Sequence, residues 1–139
     1  MESFQGGGLG LIEYVINPFP DAGALDEFWR RAWGGPAPQG YAAVLSRSLA
    51  HVVAMDGGRL VGFVNIAWDG GVHAFILDTA VDEAYRRRGI ATELVRRAAD
   101  LARDSQVQWL HVDFEPHLEG FYRACGFGPT AAGLMRLSD

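Results

Sequence analysis

The chain has 139 residues, 49% of them hydrophobic, which is one domain's worth of material with enough apolar side chain to bury a core. All twelve basic Lys+Arg positions are arginines, which excludes a Schiff-base lysine, a pyridoxal-phosphate anchor and a Walker-type phosphate loop, and the single Cys125 excludes an internal disulfide or a multi-cysteine metal site. The net charge of −5 argues against a nucleic-acid partner, and neither a membrane-length apolar run nor a basic-then-apolar leader is visible, so a cytoplasmic setting is expected.

Glycine-rich residues 1–10 are expected to be a flexible segment, with a single domain over 11–139. Leu11–Ile16 has the β-branched and aromatic content of a first strand, closed by Asn17-Pro18. From Asp21 to Trp33, Leu25, Phe28, Trp29 and Ala32 recur at helical spacing, opposite Asp26, Glu27, Arg30 and Arg31. The breaker-rich loop Gly34–Gly40 follows, then a short helix around Ala42–Leu45. Three strand-like runs, His51–Met55, Leu60–Trp68 and Val72–Val81, are separated by Asp56-Gly57-Gly58 and Asp69-Gly70-Gly71, so an antiparallel meander is expected.

The period then changes. Ile90, Leu94, Ala98 and Leu101 form one stripe of a helix over Gly89–Asp104, with Glu93, Arg96, Arg97, Asp100 and Arg103 facing away. Val107–Phe114 reads as another strand, Leu118–Cys125 as a short helix and Gly133–Leu137 as a last strand. A strand, helix, strand succession requires a crossover, so Val72–Val81 and Val107–Phe114 should be parallel. The fold class is α/β: a mixed, mostly antiparallel sheet with one central parallel pair and helices on both faces.

The turn Arg86-Arg87-Arg88-Gly89-Ile90-Ala91-Thr92 opens the long helix. Backbone N–H groups at a helix start lack intrahelical partners and meet a positive macrodipole, so a phosphate can be held there, with Gly89 and Ala91 leaving room and the arginines adding charge-assisted donors. The competing reading of such a basic run is a solvated face. Phe121-Tyr122-Arg123-Ala124-Cys125-Gly126-Phe127 is a second motif, a short helix ending at a glycine suited to a left-handed cap. Cys125 reads as a packed thiol.

Together these motifs resemble the GNAT superfamily of N-acetyltransferases, whose Arg/Gln-x-x-Gly-x-Gly/Ala element is matched by Arg86, Gly89 and Ala91 and whose aromatic-Tyr…Gly-Phe element is matched by Phe121-Tyr122 and Gly126-Phe127. The resemblance implies acetyl-CoA as cosubstrate and no metal. It places the pyrophosphate on the turn Arg86, Arg87, Arg88, Gly89, Ile90, Ala91 and Thr92, and the pantetheine along Thr79, Ala80 and Val81. Tyr122 is then the proton donor to the departing thiolate. The implied reaction is direct transfer of acetyl to a primary amine, small-molecule or peptide, and the implied partner is a second copy of the chain. A non-catalytic acyl-CoA sensing domain is the alternative.

The chain departs from the family in two places. Glu115 stands where many members have an Asn seven residues before the Tyr, and the strand positions that carry a base in some members hold Phe75 and Leu77. Alternation along the fifth strand would put His111, Asp113 and Glu115 on one face, either lining the cleft or pairing with arginines. His73, Asp113 and Glu115 are therefore the candidate bases. Trp29 and Trp33 are either core residues or an aromatic wall of the acceptor pocket.

Overall fold

The computed structural model describes residues 11–139, so the segment expected to be flexible over 1–10 lies outside the described residues. Five strands form one sheet in chain order: β1 (Glu13–Ile16), β2 (Ala50–Asp56), β3 (Arg59–Trp68), β4 (His73–Val81) and β5 (Trp109–Val112). The first three pairings are antiparallel, and β4 with β5 is parallel, as the crossover requires. The helices are α1 (Ala22–Trp33), α2 (Tyr41–Arg47), α3 (Ile90–Asp104) and α4 (Glu119–Ala124). Both meander turns are where the Asp-Gly pairs stand, with Gly57 and Gly70 in the left-handed conformation that tight hairpins need.

Each face of the sheet has its own core. On one side Leu25, Phe28 and Trp29 of α1 and Tyr41 and Leu45 of α2 pack against Val53, Leu60 and Phe63. On the other, Ile90, Leu94, Val95 and Ala98 of α3, with Tyr122 of α4, pack against Val52, Val61, Val64, Ile66, Ala74 and Ile76. Full burial of a side chain such as Phe28, Phe63 or Leu94 contributes about 1.5–3 kcal/mol, so these stripes fix which helix lies on which face. Helix α1 is bounded by chemistry visible in the sequence: Asp21 Oδ1 accepts from the Ala24 N–H at 2.8 Å, and Gly34 takes the left-handed cap at φ 89°.

Close approach of α3 to the sheet depends on Gly62. A Cβ there would meet Ala54 Cβ, Ile90 Cγ2 and Leu94 Cδ1, each at 3.0 Å, so the first turn of α3 seats directly on β3. Two irregularities shape the sheet near the end of β4. The β4–β5 ladder stops at Ile76 and Val112, and between Asn65↔Leu77 and Phe63↔Ala80 strand β4 carries one extra residue. That bulge falls at Asp78-Thr79, and Asp78 has φ +58°.

Two expected strand ranges need correction. Gly133–Leu137 forms no strand: residues 128–139 have no regular structure, and their apolar Leu134, Met135 and Leu137 are exposed. The fifth strand ends at Val112 rather than Phe114, because Asp113-Phe114-Glu115 leads into a 3-10 turn with Pro116 at its start. Among the described residues no helix is long and apolar enough to cross a membrane.

Candidate active site

Past Ile76 and Val112 the parallel strands no longer pair, and a cleft of about 590 Å³ opens there. Its wall is Thr79, Ala80 and Val81 of β4, the turn Arg86, Arg87, Gly89, Ile90, Ala91 and Thr92, and Phe121 and Tyr122 of α4, so residues far apart in sequence converge on one space. Ala32 and Trp33 close it from α1, with Tyr85, His117 and Leu118. A larger groove of about 730 Å³ lies elsewhere, between β1, α1 and the β2–β3 turn, and contains none of the predicted site residues.

The α3 end of the cleft is built from backbone. Gly89 caps α3 at φ +80° and no side chain caps the helix, so the N–H groups of its first turn are not taken by a capping side chain. A Cβ at Gly89 would meet nothing within 4 Å, which leaves the approach to those donors open. Arg87, two residues ahead of Gly89, is also left-handed at φ +67°, so the chain turns sharply into the helix.

The three arginines divide the work. Arg87 lines the cleft and is exposed. Arg86 also lines it, but its guanidinium donates to Val81 O at 3.3 Å and Ala32 O at 2.8 Å, fastening the turn to β4 and α1. Arg88 does not line the cleft: it lies over the Tyr85 ring at 4.8 Å and donates to Ala84 O. Ahead of the turn, buried Asp82 accepts from the Ala84 N–H and pairs with Arg31 at 2.7 Å and Arg59 at 3.0 Å. Burial pushes its carboxyl up, but the Ala84 donor and the two guanidiniums outweigh this and hold it below the usual carboxylate range.

Tyr122 occupies the other end. Its ring is clamped by Phe114, stacked at 5.0 Å, and by Phe121 and Phe127 edge-on at 4.9 and 5.8 Å. The Thr79 hydroxyl, shielded from solvent and with no well-formed hydrogen bond, faces the Tyr122 hydroxyl. Burial raises the Tyr122 pKa against the lowering influence of Thr79, so the phenol is a neutral donor at physiological pH.

The remaining sequence-predicted residues are not brought into the cleft. His73 lies at the opposite end of β4, with Nδ1 2.9 Å from His111 Nε2, and six strand residues place it about 20 Å from Thr79. Asp113 and Glu115 are exposed beyond the end of β5, and neither lines the cleft, because the strand alternation expected to aim them stops at Val112. His111 stacks on Phe75 at 4.3 Å on the α1–α2 side of the sheet. The tryptophans separate: Trp29 is core, whereas Trp33 is 54% exposed and lines the cleft. Sequence reasoning did not single out Tyr85, Leu118 or His117 for the cleft, and their signal was nearness alone: Tyr85 adjoins the arginine turn, and His117-Leu118 precede the Phe-Tyr motif.

An uncapped helix N-terminus, an unpaired stretch of strand edge and a buried phenol facing one cleft define a site for a ligand with an anionic end and an extended arm. The acetyltransferase (GNAT) family model matches residues 11–127, and the chain belongs to that family. Mycothiol acetyltransferase from Rhodococcus erythropolis is 34% identical over 89 residues, which are 61% of this chain and 30% of that protein. The chain thus spans about a third of the length of such curated relatives. A GNAT family acetyltransferase from Streptococcus pneumoniae has the same fold, with TM-score 0.79 and 22% identity, covering 92% of this chain and 98% of that one. Aminoglycoside N-acetyltransferase AAC(6')-Iy, solved in complex with CoA, superposes with TM-score 0.73 at 16% identity, over 92% of this chain and 95% of its own.

Proposed function

We propose that the protein transfers an acetyl group from acetyl-CoA to a primary amine by direct attack on the thioester. The observation that carries this reading is the convergence, in one cleft, of the uncapped α3 N-terminus, the free Thr79–Val81 edge of β4 and the Tyr122 hydroxyl. The donor set fits the cosubstrate: main-chain N–H groups from Gly89 to Thr92 and the Arg87 guanidinium for the pyrophosphate, and strand edge for an amide-bearing arm. Acetyl-CoA supplies an activated acyl thioester.

The chain's own residues orient and protonate. A backbone N–H at Ala80 or Val81 polarises the carbonyl oxygen. As the amine nitrogen bonds to the carbonyl carbon and the carbon–sulfur bond breaks, the Tyr122 O–H would give its proton to sulfur and regain one from water. The proton shed by the amine leaves through water at the C-terminal end of β5, where Asp113, Glu115 and cleft-lining His117 lie. His73 has no part in this path.

Steady thiol release from acetyl-CoA across an amine panel tests the reading. Turnover that depends on both the amine and Tyr122 supports it. Stoichiometric acetyl-CoA binding with no turnover across a broad panel would favour the sensing domain instead.

A further inference from the structure

Strand β4 presents two faces at its bulge. Thr79 turns toward the cofactor cleft and Tyr122, whereas Asp78 takes a left-handed conformation and puts its carboxylate on the α1–α2 face, where the Tyr41 hydroxyl donates to Oδ2 at 2.6 Å. A non-glycine residue held at positive φ costs energy, and here a buried tyrosine holds it: Tyr41 packs among Trp29 and Phe63 and has little other freedom. Among the described residues no cation pairs with Asp78, so this exposed carboxylate stands beside the cleft with its Oδ1 free.

Two neighbouring observations bear on what Asp78 can receive. Asn65, opposite Leu77 on β3, is 1% exposed and its side chain reaches the Tyr41 hydroxyl, so the tyrosine that holds Asp78 is itself held from β3. Along the same face neither α1 nor α2 covers Leu77 and Phe75, which are 42% and 40% exposed, and His111 stacks on Phe75. A short apolar strip therefore leads away from an anionic group placed beside the cleft.

Resting on the acetyl-transfer reading, we propose that the acceptor is an aryl or alkyl amine: its ammonium is received by Asp78, and its apolar body lies on Leu77 and Phe75. Charge and surface disfavour a different class. A phosphorylated amino sugar can offer its ammonium to Asp78, but its hydroxyls would lie unsatisfied against Leu77 and Phe75 and its phosphate would add like charge near Asp78. Tyr41 is a positioning residue, acting through Asp78.

Phenethylamine and glucosamine 6-phosphate are the two probes, tested on the full chain by calorimetric titration and by thiol release. Phenethylamine should be used with a kcat/KM at least about tenfold above that of the phosphorylated sugar. Asp78→Asn, which tolerates the same backbone conformation, should raise the phenethylamine KM about tenfold or more with acetyl-CoA affinity unchanged. Leu77→Ser, a surface change, should raise KM for phenethylamine but not for ethylamine. Tyr41→Phe should raise KM less than Asp78→Asn and leave kcat within about twofold.

Equal use of the two probes, or an Asp78→Asn variant with wild-type KM, overturns the assignment while leaving acetyl transfer standing. If acetyl-CoA binds but no amine is turned over, acetyl transfer falls, and the titration alone decides: phenethylamine binding that is lost in Asp78→Asn upholds this amine site, and no binding refutes it.

Discussion

Arg86 donates to the carbonyl of Ala32 at 2.8 Å, so the turn that opens α3 is fastened to the C-terminal end of α1. The same guanidinium reaches Val81 O, and one side chain thereby joins three walls of the cleft. Its charge also complements the negative end of the α1 macrodipole. Arg86 is thus a brace as well as a candidate phosphate donor.

That double role ranks the variants at the phosphate turn. Gly89→Leu forces a bulky side chain into a left-handed position and into the open approach to the α3 donors, and should weaken acetyl-CoA binding by about tenfold or more. Arg86→Ala leaves the main-chain donors in place and should cost less affinity, while lowering Tm through the lost ties to Ala32 and Val81. Calorimetric titration and melting curves on the two variants check both halves. Unchanged affinity in Gly89→Leu would remove this turn from the site.

Tyr122→Phe separates binding from turnover. The ring's contacts with Phe114, Phe121 and Phe127 survive, and only the hydroxyl facing Thr79 is lost. Acetyl-CoA affinity should stay within about twofold and kcat should fall about a hundredfold. Wild-type turnover across the pH range would show that water protonates the leaving thiolate.

His51 makes stability depend on pH. Its ring is fully buried between Phe19 and Phe63, Nε2 accepts from the Phe19 N–H at 3.0 Å, and Nδ1 has no partner. Burial lowers its pKa from 6.5 to about 4. The unfolded chain therefore takes up this proton near 6.5 while the folded chain resists until near 4, so stability falls with pH across that interval, by about 2–3 kcal/mol in all. Urea unfolding from about pH 7.5 to about pH 4.5 should show this slope in the wild type. His51→Gln should lose it, and parallel slopes in the two proteins would refute the assignment.

Gly62 sets the depth at which α3 sits. Gly62→Val drives methyl groups into Ala54, Ile90 and Leu94 and should destabilise by about 1–3 kcal/mol, measured by denaturant unfolding. Because Ile90 begins α3, the fraction that remains folded should also bind acetyl-CoA more weakly. A variant that loses stability with full affinity would show that the helix start re-seats independently of the sheet.

What the sequence determined by itself was local. Asp21 and Gly34 bound α1, the Asp-Gly pairs turn the meander, the 3.6-residue stripe from Ile90 makes α3, and Gly89 opens it with no side-chain cap, all through interactions within a few residues. The two motifs carrying the family resemblance are of the same kind, which is why the family was legible and why most residues lining that end of the cleft could be named from the sequence. Only the tertiary structure decided which side chains share a space. It made one tryptophan core and the other cleft wall, because the α1 stripe is narrower than its aromatic content. It ended β5 at Val112, so the alternation that would have aimed Asp113 and Glu115 never extends that far. It left Gly133–Leu137 without a strand partner, since β propensity forms no strand where no ladder receives it. And it placed Asp78 at a bulge against Tyr41, 37 residues away in sequence, a conformation that depends on the mismatch between two strand registers and has no local signature.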